Sequence, residues 1–181
     1  MDTPQKFSPL TIALHWVIAL SIIAMLGVGF YMSINEYYPL YDWHKSFGVL
    51  IFFVVLVRVW WRVKNGWPVP VRAYPALEHR VAQVTHWVLI VGTVLMPISG
   101  MLYSGLGGWG IKVFGWAMVA GNKNPATGQT EPIHAGLAEL GEFTHEWLGY
   151  VLVVAITLHL AGALKHHWLD KDRTLLRMLG R

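Results

Sequence analysis

The sequence predicts an all-α integral membrane protein, a four-helix bundle forming one domain over residues 1–181. Three observations predict it. Of the 181 residues 55% are hydrophobic and only 13% are charged, where a soluble domain carries about 25% charge. The uncharged runs are long enough to cross a bilayer. Nine His and no Cys stand in this apolar chain, which points to chemistry inside the membrane rather than to a disulfide scaffold, a thiolate metal site or an iron–sulfur protein.

The first span comes from Phe7 to Asn35, 29 residues without a formal charge between Lys6 and Glu36. A bilayer-spanning helix needs about 20 apolar residues, and the predicted helix covers 9–32. A cleaved signal peptide is the competing reading, but the run is too long for an h-region, no small-x-small cleavage site follows convincingly, and His15 lies inside it. Ser46 to Val57 is interrupted by Arg58 and continued by Val59, Trp60 and Trp61. An arginine near a helix end can snorkel to the headgroups, so a second helix is predicted at 42–63. Residues 64–80, with Pro68, Pro70 and Pro75, form a short loop. Arg80 and Lys112 bracket 31 uncharged residues, which place the third helix at 82–104. Trp147 to Leu164 gives 18 more, extended by Thr144 and His145 to a fourth helix at 143–167. Residues 105–142 are the longest connection, with Trp109, Phe114 and Trp116 suited to the membrane interface.

The charges are lopsided. The N-terminus, the 58–80 connection and the tail from Lys165 carry eleven basic and four acidic residues, +7, while the other two connections carry three basic and six acidic, −3. The positive-inside rule places both termini and the middle loop in the cytoplasm. The overall +4 thus reflects topology, and nucleic-acid binding has no remaining support.

Histidine in a spanning helix is expensive unless it is paired or functional. His145 and His159 lie 14 residues apart in the fourth helix, a rise of about 21 Å within roughly 40° of whole turns, and His166 falls near the same face. His44 starts the second helix level with His145, and His15 lies level with His159. Two imidazoles from facing helices are the usual axial pair for b-type haem. The bland reading of any one is a core histidine bonded to a neighbouring helix. Gly48 and Gly149 each follow a His by four residues, one turn along the same face, where a flat macrocycle or simply a close helix would pass. Covalent c-type attachment is excluded without Cys. Zinc or copper would want three or four convergent ligands, and a proton-coupled transporter a buried carboxylate; neither pattern is present in the spans. Spacing leaves the inner level open, because His15, His86, His159 and His166 crowd it and only two can bind one iron. The leftover pair, with Arg80 nearby, suits a quinone, whose carbonyls need hydrogen-bonding or proton-donating groups; propionate contact or headgroup anchoring are the alternatives. His79, His134 and His167 carry no assignment.

Several segments together resemble the bacterial cytochrome b561 family, also called Ni-hydrogenase-type cytochrome b. They are Leu14, His15 and Trp16; Trp43, His44 and Gly48 with Arg58 and Arg62; Thr85 and His86 followed by Pro97 and Gly100; and above all a final block. That block holds His145, Glu146, Gly149, Tyr150, Leu158, His159, His166, His167, Asp172 and Thr174. It is most similar to the superoxide-oxidising branch. The resemblance covers nearly the whole chain and implies a bacterial inner-membrane cytochrome with two b haems in its core. It implies His15 and His159 as ligands of the cytoplasmic-side iron and His44 and His145 of the periplasmic-side iron. It implies His86 and His166 near bound ubiquinone or another quinone, superoxide oxidised outside, and quinone reduced inside.

The outer −3 runs against capture of an anion, with Glu36, Asp42, Glu131, Glu139, Glu142 and Glu146 on that side. Lys45, beside His44, offers superoxide a local positive approach. Alternatively, the acidic face docks a basic periplasmic redox protein, as expected of an electron-transfer subunit in a hydrogenase-like complex. A haem-free transporter or structural bundle is the third reading.

Overall fold

The computed structural model describes residues 2–3, 6–68 and 70–181. Four long helices are each long and apolar enough to cross a membrane: α1 (Pro9–Asn35), α2 (Tyr41–Asn65), α3 (Ala76–Leu106) and α4 (Ala135–Trp168). A single 3₁₀ turn, Tyr38–Leu40, joins α1 to α2. Between α3 and α4 lies a short antiparallel hairpin, β1 (Ile111–Val113) and β2 (Trp116–Val119). The chain closes with α5 (Thr174–Met178). Both termini and the α2–α3 loop lie at one end of the bundle, here the termini end; the hairpin lies at the other.

The helices begin where local chemistry allows. Ser8 caps α1 by accepting the Thr11 N–H, with Pro9 following at the first helical position, where its missing N–H costs nothing. Arg62 and Lys64 sit in the last turn of α2, which suits the negative end of the helix dipole.

All four spans are longer than the charge gaps predict. The third starts at Ala76 rather than 82 and ends at 106, and the fourth starts at Ala135 rather than 143. The predicted spans stop at charges, but a helix that continues into water keeps its charged faces. Thus Glu78 and Arg80 lie within α3, and Glu139 and Glu142 within α4. The outer connection therefore shrinks from 105–142 to 107–134. His134, without an assigned role from sequence, is the N-cap of α4 and accepts the Leu137 N–H at 3.2 Å.

The side chains are sorted for lipid. Leu20, Phe53, Val84 and Val154, one from each helix, are each about 60% exposed, as expected where the surrounding solvent is hydrocarbon. A small apolar core of Ile18, Ile22 and Val55, with Val94 and Ile156 against it, draws on all four helices. The α3–α4 seam is close because it is lined with glycine. A Cβ on Gly92 would stand 2.8 Å from Leu152, and one on Gly141 would stand 2.6 Å from the Tyr103 backbone nitrogen. Small residues of this kind let membrane helices approach.

The hairpin is fastened to the bundle. Phe114 and Gly115 both have positive φ, as a tight two-residue turn requires. The Phe114 N–H donates to the Ser46 hydroxyl at 2.9 Å, and the Lys45 ammonium donates to the Gly110 carbonyl at 3.1 Å. At the opposite end Trp16 donates its indole N–H to the Met178 carbonyl at 3.0 Å, tying α5 to α1.

The segment before α5 is held by Asp172, which accepts from the Tyr74 hydroxyl at 2.9 Å and the Thr174 N–H at 2.8 Å. Burial alone would raise the Asp172 carboxyl, but the hydrogen bonds from Thr174 and Tyr74 outweigh it and hold the carboxyl below the usual range. A carboxylate depressed on folding contributes stability above its unfolded value, about 3.9, that is lost as pH falls through its folded value. Amide protection over residues 169–178, taken against the intrinsic exchange rate at each pH, is therefore high at neutral pH and falls in acid. Asp172→Asn shows faster exchange at pH 7 with a much flatter acid response; equal protection in the two proteins at pH 7 would count against this anchor.

Candidate cofactor site

Two pairs of imidazoles face each other across the bundle. At the hairpin end the rings of His44 in α2 and His145 in α4 have centroids 6.2 Å apart at an interplanar angle of 82°. At the termini end His15 in α1 and His159 in α4 are 6.1 Å apart at 56°. Helix α4 contributes to both because 14 residues bring its two His to nearly the same face, about 21 Å apart along the axis.

The separations carry chemical information. A metal–imidazole bond is about 2.0–2.1 Å and a ring nitrogen lies roughly 1.1 Å from its ring centre, so two imidazoles sharing one metal place their centroids about 6.2 Å apart. Both pairs meet that distance. His86 lies 5.1 Å from His159, edge to face at 76°, a direct ring contact with no room for a metal between. The sequence left His15, His86, His159 and His166 crowding this level; of the two rings beside His159, that of His15 and not that of His86 stands at the metal-sharing separation.

The hydrogen bonds around each pair differ. His145 Nδ1 lies 2.9 Å from the Met96 carbonyl and 3.2 Å from the Ser99 hydroxyl. A proton on Nδ1 donated to that carbonyl leaves Nε2 unprotonated, the arrangement usual in a metal-ligating His. His44 Nδ1 is buried with no hydrogen-bond partner among the described residues. Such a nitrogen is costly unless something outside the chain compensates it. His15 Nδ1 lies 3.2 Å from Nη2 of Arg58. The sequence reading had Arg58 snorkel to the headgroups. Because α2 runs to Asn65, Arg58 stands about 10 Å before the helix end, and it turns inward to His15 instead.

Glycine makes space for the rings. A Cβ on Gly100 would stand 2.9 Å from His145 Cε1, and one on Gly29 would stand 3.4 Å from His44 Cε1. Gly48 and Gly149, the two chosen from their spacing, face Met25 at 3.8 Å and Met96 at 3.5 Å, ordinary contacts. The glycines nearest the rings therefore lie on the helices opposite, at positions that intrahelical spacing does not reveal.

The residues expected near quinone stand in different surroundings. His86 contacts His159. His166 directs Nδ1 toward Asp170 and Asp172, 3.0 Å from each, and packs against the Tyr74 ring. Glu78, His166 and Asp170 converge closely enough for a metal ion, but the Lys165 ammonium already bridges Glu78 at 2.9 Å and Asp170 at 2.8 Å. Lys45 is half-buried beside His44, its ammonium engaged by the Gly110 carbonyl.

A donor set of imidazoles alone, in two pairs at a shared-metal distance, with glycine against the rings of the hairpin-end pair, fits haem iron. The class so defined is the membrane-embedded b-type cytochrome. The chain is matched over residues 6–181 by prokaryotic cytochrome b561, and it belongs to that family of electron-transfer membrane proteins. Cytochrome b561 homolog 2 of Escherichia coli (strain K12) is 34% identical over 185 residues, covering 99% of this chain and 94% of the relative. Cytochrome b561 homolog 1 of the same organism is 28% identical, covering 98% of each chain. The probable superoxide oxidase CybB of Yersinia pestis is 30% identical over 182 residues, covering 97% of this chain and 96% of that one.

Proposed function

We propose that this protein is a two-haem cytochrome b of the bacterial inner membrane that oxidises superoxide at its hairpin end and reduces membrane quinone at its termini end. Both termini lie in the cytoplasm on this reading, as the +7 and −3 charge balance requires. The observation that carries it is the pair of imidazole pairs at 6.2 and 6.1 Å. The name of the Yersinia relative supports superoxide as the donor.

His44 and His145 hold one haem iron, His15 and His159 the other. Bound haem supplies one-electron redox chemistry, which no side chain at these positions has of its own. The chain supplies position and insulation. Met96 and Ser99 orient His145, and the Ile18, Ile22 and Val55 core separates the two levels with apolar side chains. Quinone reduction consumes two electrons and two protons. On this reading His86 and His166 hydrogen-bond the quinone, and the carboxylates of Asp170 and Asp172, each 3.0 Å from His166 Nδ1, hold that ring's proton. At the other end Lys45 supplies a positive charge beside His44.

A second reading rests on the acidic hairpin end, where Glu36, Asp42, Glu131, Glu139, Glu142 and Glu146 are all exposed. That field slows an anion and attracts a basic periplasmic redox protein. The two readings part on one measurement. Purified protein with quinone, supplied with enzymatically generated superoxide, reduces quinone and bleaches superoxide faster than protein-free controls. Failure with intact haem bands would transfer the assignment to the partner-docking reading.

A further inference from the structure

Arg58 is a cation inside the bundle that the proposed function does not use. It lies within a spanning helix, and among the described residues no carboxylate comes within ion-pair distance of it. Arg62, one turn on, is different: it reaches the Gly66 carbonyl at 2.9 Å and the Asp2 carboxylate at 3.7 Å at the termini end. A charged side chain held inside the membrane is costly and is kept for function. The Arg58 guanidinium is directed at Nδ1 of His15, 3.2 Å away.

A guanidinium donates only and stays charged. With Nε2 on a metal and the ring proton on Nδ1, two donors face each other at 3.2 Å, so the contact is not a hydrogen bond. His15 has a full positive charge beside the ring nitrogen where a ligating imidazole ordinarily meets a carbonyl or carboxylate. His145 has the ordinary partner, the Met96 carbonyl at 2.9 Å. The two sites are thus opposite in electrostatic sense. A carbonyl drawing on Nδ1–H makes the imidazole a stronger donor and stabilises oxidised iron. A nearby positive charge in a low-dielectric interior stabilises the reduced iron, which carries one electron more.

We propose that Arg58 is a positioning residue for direction: its charge beside His15 sets the potential of the termini-end haem above that of the hairpin-end haem. Electrons then run from the hairpin end to the termini end whatever the donor. The inference rests on the two-haem reading but on neither superoxide nor quinone.

The test is an optical redox titration of the full-length protein in lipid nanodiscs. Wild type titrates with two midpoints, and His44→Ala, which keeps the termini-end pair, retains the higher one. In Arg58→Gln the higher midpoint falls while the lower stays. At a potential equal to the wild-type higher midpoint, the reduced-to-oxidised ratio drops at least tenfold, about 59 mV for one electron. Arg58→Lys retains most of the wild-type value. The proposal is overturned if Arg58→Gln leaves both midpoints in place or moves only the lower. It is equally overturned if the higher one rises, which would mean that the guanidinium draws the ring toward imidazolate. Should Arg58→Gln lose the termini-end haem, Arg58→Lys decides: an unchanged midpoint sustains the proposal and a neutral-like fall ends it. Wild-type protein with fewer than two haems would instead remove the reading on which it rests.

Discussion

His145→Ala binds one haem per chain in place of two, and His44→Ala does the same. Each ring of a shared-metal pair supplies half of the axial ligation, and no other described imidazole lies beside the 6.2 Å pair to replace it. The termini-end pair is about 21 Å away along α4 and is untouched, so the retained haem keeps a bis-imidazole spectrum. His15→Ala and His159→Ala give the mirror result. The discriminating variant is His86→Ala. His86 sits 5.1 Å from His159, close enough to matter if ring crowding alone defined the site, yet it keeps both haems because it is not half of a metal-spaced pair. Haem extracted as the pyridine complex and divided by protein concentration measures all five. Two haems with an unchanged spectrum in either His44→Ala or His145→Ala would show the hairpin-end assignment to be wrong.

The spans and the stripe of His along α4 were legible because hydropathy and the 3.6-residue period are properties of single helices. The depth pairing of His44 with His145 follows from the same period plus topology, which left His15, His86, His159 and His166 together at the other level. What sequence did not reveal depends on which faces meet. Gly100 and Gly29 serve His residues on other helices, so no spacing from those His points to them. Arg58 was read as a headgroup anchor because Asn65, the true end of α2, lies beyond the charges that truncated the prediction. The hairpin at 111–119 was unreadable for a related reason. Its three- and four-residue strands are too short for an alternation signal, and they are held by Ser46 and Lys45 of α2 rather than by a core of their own.

Gly100 gives the second large expected effect. Its Cα hydrogen faces the His145 ring, and a methyl group there would stand 2.9 Å from Cε1 and 3.0 Å from Nδ1. That ring has little freedom, because Nδ1 is already 2.9 Å from the carbonyl of Met96, which lies one turn before Gly100 in α3. A bulky residue at 100 must therefore swing the imidazole off its bond to Met96 and away from His44, or push α4 from α3 along the seam that Gly92 and Gly141 keep close. Gly100→Val accordingly folds as a helical membrane protein but carries one haem per chain, the one held by His15 and His159. Gly48→Ala is the control. Its methyl group meets Met25 Cε at 3.8 Å, an ordinary contact, and both haems remain. The pair also separates two meanings of a glycine near a ligand. If haem clearance along the ligand's own helix were the governing need, Gly48→Ala would be the damaging change and Gly100→Val the mild one. Haem content and circular dichroism of the two variants decide between them, because the helical signal stays intact when only the ring has moved.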